Sequence, residues 1–265
     1  MARILFKMIK RGVPLAAAIY LLPRLILFFI VCGMIDVLRN KRRDAKLFWR
    51  YFTGNGVTTW LLSPFNLAMD ALTLPNKNKG IYTLADLPDG YQQEITQVLR
   101  VADQRDFLIT LNTAMKGTGR FMQFFKWYGA NNKNLDDEPE FHRSYKFVRT
   151  IGVSAFSKHQ STSEHFGPLR VTLRVLYNFG PTAEGNVFIE VGDHINYWRD
   201  NPLFIFDDTL LHRSCNESDD VRYCLFIDIL RPSPWPRLMS AILTGVRICV
   251  GRYKSLFYRK WKVLR

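Results

Sequence analysis

Between residues 150 and 230 the chain carries a series of short strand-like runs, and this series restricts its possible folds more than any other feature. The runs are rich in β-branched and aromatic residues and are bounded by Asp, Asn, Ser and Pro, a pattern typical of β-strands. They lie at 169–177, 187–191, 202–206 and 221–230. Several short strands separated by turn signals predict a small antiparallel barrel or jelly roll.

Two histidines close to these runs are candidate metal ligands. His165 begins the sequence His-Phe-Gly-Pro, and His212 ends the sequence Phe-Asp-Asp-Thr-Leu-Leu-His. Two neutral imidazoles that leave coordination positions open suit a non-haem Fe(II). The separation of the pair has no ligand spacing of its own, and an arginine such as Arg222 is more often a surface or ion-paired residue than a carboxylate clamp. Only the joint arrangement of the three residues indicates a site.

That arrangement resembles the aspartyl/asparaginyl β-hydroxylase family of Fe(II)/2-oxoglutarate oxygenases over about residues 145–232. The matching positions are Ser154, His165, Leu173-Arg174, His212, Asn216, Arg222, and Asp228 before Arg231-Pro232. The double-stranded β-helix fold of this family agrees with the strand pattern. The expected fold is therefore a mainly β core of that type, with a helical N-terminal region and membrane-associated apolar segments at both ends.

The resemblance implies a role for each matching side chain. His165 and His212 would bind Fe(II), and Arg222 would pair with the distal carboxylate of 2-oxoglutarate, with Ser154 and Arg174 as further contacts to that co-substrate. An arginine suits this role because its planar, permanently charged fork pairs bidentately with a carboxylate. The implied reaction consumes O₂, converts 2-oxoglutarate to succinate and CO₂, and hydroxylates a substrate C–H bond.

Two positions depart from related enzymes. Many oxygenases of the wider class carry a carboxylate two residues after the first histidine, where this chain has Gly167, so the resemblance implies a two-histidine site with water in the gap. A histidine is common in the family where Leu176 stands, and its loss leaves an altered or inactive enzyme as an alternative. Asp207 and Asp208 are candidates to orient His212, because carboxylates fix the tautomer of metal-binding imidazoles. A turn or cap would equally explain Asp208.

The charge of the chain is concentrated at its ends. The net charge of +14 includes +9 from residues 1–50 and +8 from residues 237–265, which leaves −3 for the middle of the chain. Nucleic-acid binding would require basic residues across the folded domain, so we expect no nucleic-acid partner. The four cysteines have no metal or redox spacing, which is consistent with a reduced, cytoplasm-facing compartment.

Both basic ends are also apolar, which indicates a membrane. Residues 13–35 are long enough to cross a bilayer, where about 20 residues are needed. Because Arg24 beside Pro23 would cost about 2.5 kcal/mol or more at the centre of a span, a re-entrant or interfacial hairpin is an equal alternative. Residues 238–262 mix apolar and basic side chains, which is typical of a helix in an anionic membrane surface. A basic tail without a partner is the alternative there.

The sequence thus predicts four parts. They are a basic apolar membrane anchor at 1–50, a helical and linker region at 51–144 that packs on the core, the oxygenase jelly roll at 145–232, and a basic amphipathic membrane-surface tail at 233–265. Within the second part, 57–74 predicts a packed helix and 86–99 another helix. We expect the protein at the inner (cytoplasmic) membrane with its catalytic domain facing the cytoplasm, and the sequence gives no oligomeric state.

The apolar ends and the aromatic run at 121–129 favour the membrane branch of the family, the lipid A acyl-chain hydroxylases. The expected function is hydroxylation of a membrane lipid's acyl chain at carbon 2. An ornithine-lipid hydroxylase and a peptidyl aspartyl/asparaginyl β-hydroxylase are the alternatives within the family. A membrane acyltransferase is the alternative outside it, since His159 and Glu164 have the spacing of a general base and its orienting acid.

Overall fold

The structure is a computed structural model, and it describes residues 20, 22–55, 58–102, 119–132, 139–180, 185–251 and 262–263. The chain divides between Ala68 and Met69 into two compact units. Residues 252–261 and 264–265 of the predicted C-terminal tail lie outside the described residues. So do residues 1–19 and 21 of the predicted anchor.

The first unit is helical. Its elements are α1 (Pro23–Val37), α2 (Ala45–Trp49), a π-helical turn (Arg50–Gly54), α3 (Thr58–Leu61) and the start of α4 (Ser63–Leu72). Helix α1 has a proline in its first turn, where the missing N–H costs nothing, and α2 is capped by the Asp44 carboxylate, which accepts from the backbone N–H of Leu47 at 2.8 Å. Helices α3 and α4 confirm the helical prediction for 57–74.

The predicted membrane segments have no spanning helix among the described residues. Helix α1 contains 15 residues, and no helix in the described ranges combines the length and the apolar character that a bilayer crossing needs. The expectation of a span within 13–35 is therefore unsupported. Residues 13–19 and 21 of that segment lie outside the described residues.

The second unit is built mainly from strands. Its elements are β1 (Ile81–Tyr82), a 3₁₀ turn (Leu84–Asp86), α5 (Asp89–Ala102), β2 (Arg120–Trp127), β3 (Ala130–Asn131), α6 (Pro139–His142), β4 (Val148–Phe156), β5 (Gln160–Ser161), β6 (Thr172–Asn178), β7 (Val187–Val191), β8 (His194–Tyr197), β9 (Leu203–Phe206), β10 (His212–Asn216), β11 (Arg222–Leu230), α7 (Pro236–Val250) and β12 (Lys262–Val263). All four predicted strand runs and the predicted helix at 86–99 correspond to elements of this set. The aromatic run at 121–129 largely forms β2.

The strands form two sheets with jelly-roll connections. The large sheet has the order β1-β9-β6-β11-β4-β2-β12, with β3 paired to β2, and the small sheet has the order β5-β10-β7-β8. From β4 to β11 the chain repeatedly changes sheets, and the pairs among these eight strands are antiparallel. This is the topology of a double-stranded β-helix, which confirms the predicted β core.

Side-chain alternation on β11 explains how the core is divided. Tyr223, Leu225 and the residues that continue this alternation belong to a cluster that packs the large sheet against α5. Cys224 and Phe226 face the opposite way, into a second cluster that includes residues of the small sheet. Because successive side chains point to opposite faces, β11 is buried on both sides. The functional side chains of the large sheet lie on the inner face, towards the small sheet.

Candidate active site

The two candidate histidines lie side by side at the start of β10. The backbone N–H of His165 donates to the carbonyl of His212, and the N–H of His212 donates to the carbonyl of His165, both at 2.9 Å. The imidazole centroids are 4.2 Å apart, with the ring planes inclined by 49°. The structure therefore brings together two residues that are 47 positions apart in the sequence.

Both rings are held in the tautomer that a metal ligand requires. His165 Nδ1 lies 2.8 Å from the carbonyl oxygen of Ser163, and His212 Nδ1 lies 2.8 Å from that of Leu210. A carbonyl can only accept, so each Nδ1 must carry a proton, and a neutral ring with this tautomer keeps the lone pair on Nε2. Burial, followed by the neighbouring charge of His165, holds the pKa of His212 well below its usual value. His212 is thus neutral and able to bind a metal at neutral pH.

Gly167 is required by the position of Asp208. A Cβ atom at position 167 would lie 2.5 Å from both Cγ and Oδ2 of Asp208 and 2.7 Å from its carbonyl oxygen, which also accepts from the Gly167 N–H. The Asp208 carboxylate therefore fills the space into which a side chain at position 167 would project. Burial raises the pKa of Asp208 to about 7, against the lowering effect of Arg174. Neither Asp208 nor Asp207 holds the Nδ1 of His212, since the Leu210 carbonyl does.

Arg222 is a buried guanidinium with unpaired donors. Its relative exposure is 2%, and its Nε and Nη1 atoms have no hydrogen-bond partner within the part of the chain that the structure describes. The guanidinium carbon lies 4.1 Å from the ring centroid of Phe156 and 5.9 Å from that of Trp198. Burial lowers the pKa of Arg222. Burial of a charged group without a partner is strongly unfavourable. An anionic ligand bound at Arg222 would remove this cost.

Arg174, in contrast, is paired on both edges. Its Nε and Nη2 donate to Asp228 Oδ1 at 3.1 and 3.0 Å, and its Nη1 lies 2.9 Å from Asp208 Oδ2. The guanidinium also stacks 4.1 Å from the ring centroid of Phe226. Ser154 donates its hydroxyl to the Cys224 carbonyl at 3.4 Å. Both residues line the same cavity as the histidines, but the donors of Arg174 are already committed to protein carboxylates.

The five candidate residues lie around one cavity between the sheets. Its empty volume is about 470 Å³, part of which is open to solvent. The lining residues are Met122, Ser154, Phe156, Thr162, His165, Arg174, Leu176, Ile189, Phe206, His212, Ser214, Arg222 and Phe226. Sequence reasoning missed Met122, Thr162, Ile189 and Ser214. Ser214 could have been found, because it stands two residues after His212 on the same strand and so shares its face.

The donor set fits an Fe(II) centre with open positions. No group of three or more His, Cys, Asp or Glu side chains suited to a metal occurs within the described ranges, so the protein would supply two imidazoles through Nε2. A metal held by two imidazoles would be able to bind further ligands. Arg222 places a buried positive charge in the same cavity, which suits a ligand that carries a carboxylate.

The described residues give no support to the alternative pair, His159 and Glu164, as an acyltransferase site. The His159 side chain is 61% exposed, and its Nε2 atom lies 3.2 Å from Asp219 Oδ1. His159 adopts a positive φ of 54° in the turn between β4 and β5. Neither His159 nor Glu164 is among the residues that line the cavity.

A family comparison identifies the class of protein to which the chain belongs. The family described as Aspartyl/Asparaginyl beta-hydroxylase matches residues 92–232, more than half of the chain, so the chain belongs to this family. The chain is also similar to the ornithine lipid ester-linked acyl 2-hydroxylase of Rhizobium tropici, with 30% identity over 105 residues. That match covers 37% of this chain and 37% of the relative, so the chain spans little more than a third of the length of this curated protein.

Similarities to solved structures are weaker. An oxidoreductase of the 2OG-Fe(II) oxygenase family from Burkholderia pseudomallei is 13% identical with a TM-score of 0.31, and the match covers 50% of this chain and 82% of that one. A cupin domain from Bordetella pertussis Tohama I is 15% identical with a TM-score of 0.26, and covers 44% and 99%. With TM-scores this low, no conclusion about fold or function follows from either.

Proposed function

We propose that this protein is an Fe(II)/2-oxoglutarate-dependent dioxygenase that hydroxylates the acyl chain of a membrane lipid, at carbon 2 of a lipid A type molecule. The observation that carries the proposal is the buried guanidinium of Arg222, with two unpaired nitrogens, in the same cavity as the adjacent imidazoles of His165 and His212. One group suits a carboxylate and the other two suit a metal. Their joint presence matches an oxygenase that uses a 2-oxo acid.

Each residue would have a defined task. His165 and His212 would hold Fe(II) through Nε2, and Arg222 would hold the distal carboxylate of 2-oxoglutarate. When bound, the metal and co-substrate supply the activation of O₂ and the oxidative decarboxylation that yields succinate and CO₂. Three residues with hydroxyl groups also line the cavity, Ser154, Thr162 and Ser214. Their hydroxyls would form hydrogen bonds with the polar end of the co-substrate.

The remaining wall of the cavity is apolar. It consists of Met122, Leu176, Ile189, Phe206 and Phe226, and all five belong to the buried cluster between the sheets. Such a wall excludes water from the reacting centre and accepts a hydrocarbon chain without leaving a polar group unsatisfied. Leu176, where related enzymes commonly have a histidine, is part of this wall.

The balance of charges in the cavity favours an acyl substrate over a peptidyl aspartate. An aspartate side chain brings a second carboxylate, which would need a second cation inside the cavity. Among the described lining residues, the permanently charged cations are Arg174 and Arg222, and Arg174 is neutralised by Asp208 and Asp228. Arg222 would be occupied by the co-substrate. The Rhizobium relative, which is named for acyl 2-hydroxylation of an ornithine lipid, supports the same substrate class.

Association with the cytoplasmic face of the inner membrane is part of the proposal. Helix α1 exposes large apolar side chains, including Leu27, Phe28 and Ile35 at 52–61%. The basic residues Arg39, Lys41, Arg42 and Arg43 follow within six positions of its end. Apolar side chains next to a basic cluster suit a surface of anionic lipids.

The substrate assignment is tested by whether oxygenation of a substrate is coupled to the formation of succinate. The purified protein in detergent, with Fe(II) and 2-oxoglutarate, is given lipid A, ornithine lipid or an aspartyl peptide, and both succinate and singly oxygenated product are measured. We expect succinate and oxygenated product to rise together with an acylated lipid and to stay at the basal level with the peptide. Oxygenation of the peptide alone would assign the protein to peptidyl hydroxylation instead.

A further inference from the structure

Asp70, on α4, joins two buried arginines of the oxygenase unit. Its Oδ2 atom accepts from Arg170 Nη1 and its Oδ1 atom from Arg231 Nη1, both at 2.5 Å. The side chains of Arg170 and Arg231 are 0% and 2% exposed, while that of Asp70 is 27% exposed. Two buried guanidinium groups therefore share one carboxylate, which compensates part of their charge.

The other edge of Arg170 reaches the turn that precedes His212. Arg170 Nε donates to Thr209 Oγ1 at 3.2 Å and lies 3.7 Å from Asp207 Oδ2. Asp207 Oδ1 accepts from the Thr209 hydroxyl at 2.6 Å and from the Thr209 N–H at 2.9 Å. Its Oδ2 accepts from Asn78 Nδ2 at 2.5 Å. Asp207 thus holds the turn through Thr209 and Asn78 and also pairs with Arg170, whose Nη1 atom binds Asp70.

The same turn sets the position of both histidine segments. The Leu210 carbonyl accepts from His212 Nδ1 at 2.8 Å, and the Asp208 carbonyl accepts from the Gly167 N–H at 2.7 Å. Gly167 is two residues from His165. A change in the conformation of residues 207–210 would therefore displace the carbonyl that orients one imidazole and the backbone contact that places the other.

We propose that Asp70 is a positioning residue of the two-histidine site and acts through Arg170. Because Asp70 and Asp207 both lie beside Arg170, removal of the Asp70 charge draws the guanidinium towards Asp207, and this shift competes with the Thr209 and Asn78 contacts that hold the turn. The turn then no longer fixes the orientation of His212. This inference rests on the proposed role of His165 and His212 as metal ligands.

The test measures binding of Co²⁺ alone to the full chain, by calorimetry, for the unaltered protein and for Asp70→Asn, Asp36→Asn and His212→Ala. Asp36 is a matched control because it is also a buried carboxylate, 4% exposed, which accepts from Arg39 Nε at 3.1 Å and from the Tyr51 hydroxyl at 2.7 Å in the first unit. Loss of an outer partner of a metal ligand typically weakens metal affinity by about 10- to 100-fold.

We expect Asp70→Asn to weaken Co²⁺ binding by about tenfold or more, while Asp36→Asn stays within about twofold. The 2-oxoglutarate affinity of the Co²⁺-loaded Asp70→Asn protein should change by less than about twofold, because Arg222 is untouched. Asp70→Glu, which keeps the charge, should recover part of the metal affinity. A purely structural role for Asp70 would not produce this separation between metal and co-substrate.

Unchanged Co²⁺ affinity in a folded Asp70→Asn protein, beside a loss in His212→Ala, would overturn the positioning role and leave the metal site intact. Absence of Co²⁺ binding to the unaltered protein would instead refute the two-histidine site itself. If circular dichroism shows that Asp70→Asn does not fold, Thr209→Val decides in its place. This nearly isosteric change removes the hydroxyl between Arg170 and Asp207, and unchanged metal affinity in that variant would also overturn the proposal.

Discussion

His165 and His212 are joined by a reciprocal pair of backbone hydrogen bonds, N–H to carbonyl, each 2.9 Å long. The separation of the two imidazoles is therefore set by strand pairing rather than by flexible side chains. Each ring is further fixed by its Nδ1 bond to a backbone carbonyl. The two rings are therefore preorganised, as the proposed metal site requires.

Removal of either imidazole should abolish metal-dependent turnover. His165→Ala and His212→Ala each leave a single protein ligand, so we expect succinate formation to fall by at least about 100-fold, with Fe(II) binding lost in parallel. His159→Ala is the matched control, because His159 is exposed and lies outside the cavity lining. Retained activity in His212→Ala would contradict the two-histidine site, and loss of acyl transfer in His159→Ala would favour the acyltransferase alternative.

Arg222→Met should separate stability from co-substrate binding. Because the guanidinium is buried with two unpaired nitrogens, an apolar side chain of similar length should raise the free energy of unfolding of the ligand-free protein by about 1 kcal/mol or more. The same change should remove the stabilisation by 2-oxoglutarate, which for the unaltered protein with Fe(II) is about 2.7 kcal/mol at 100 times Kd. Thermal unfolding with and without 2-oxoglutarate measures both effects. Equal stabilisation of both proteins by 2-oxoglutarate would count against the assigned role of Arg222.

Gly167→Ala should disturb the site through Asp208. The new Cβ would meet the Asp208 carboxylate at 2.5 Å and its carbonyl at 2.7 Å, so we expect a loss of about 1–3 kcal/mol in stability together with weaker metal binding. Gly245→Ala in α7 is the control, since nothing lies within 4 Å of a Cβ there and alanine should stabilise the helix by up to about 1 kcal/mol. Chemical denaturation of the two variants tests this, and a neutral Gly167→Ala would show that Asp208 moves freely.

Lys126 makes stability depend on pH. Burial, followed by the nearby Arg149 charge, lowers the pKa of Lys126 to about 8 in the folded protein, so the unfolded chain holds this proton more tightly. Between about pH 8 and pH 10.4 the unfolded state binds more protons, and stability attributable to Lys126 rises with pH. Lys126→Met should therefore be more stable than the unaltered protein at pH 7, by about 1 kcal/mol or more, with the difference shrinking as pH rises. A difference that stays constant from pH 7 to 10 would exclude this explanation.

The β core was predictable because the sequence signals are local. The run at 187–191 coincides with β7, and β11 spans all but the first residue of the run at 221–230. Strand β2 was not predicted, since its aromatic residues indicated burial without showing whether the segment was helix or strand. The jelly-roll order of the sheets came from the family resemblance rather than from the spacing of the runs.

The site was predictable only as a set of residue types. The resemblance identified His165, His212 and Arg222, but the pairing of Arg174 with Asp208 and Asp228 depends on which side chains the fold brings within 3 Å. The link between Asp70 and Arg170 crosses 100 positions of sequence and has no local signal. The close approach of Asp208 to Gly167 is likewise a tertiary contact, which explains why the glycine could be noticed from the sequence but not accounted for.

The central claim is tested most directly by the turnover of 2-oxoglutarate to succinate by the detergent-solubilised protein with Fe(II), with and without total membrane lipid, alongside His212→Ala. We predict succinate formation that lipid stimulates and that the variant lacks. Absence of succinate under every condition, despite Fe(II) bound by the unaltered protein, would contradict an oxygenase and indicate a binding protein that retains the fold without the reaction.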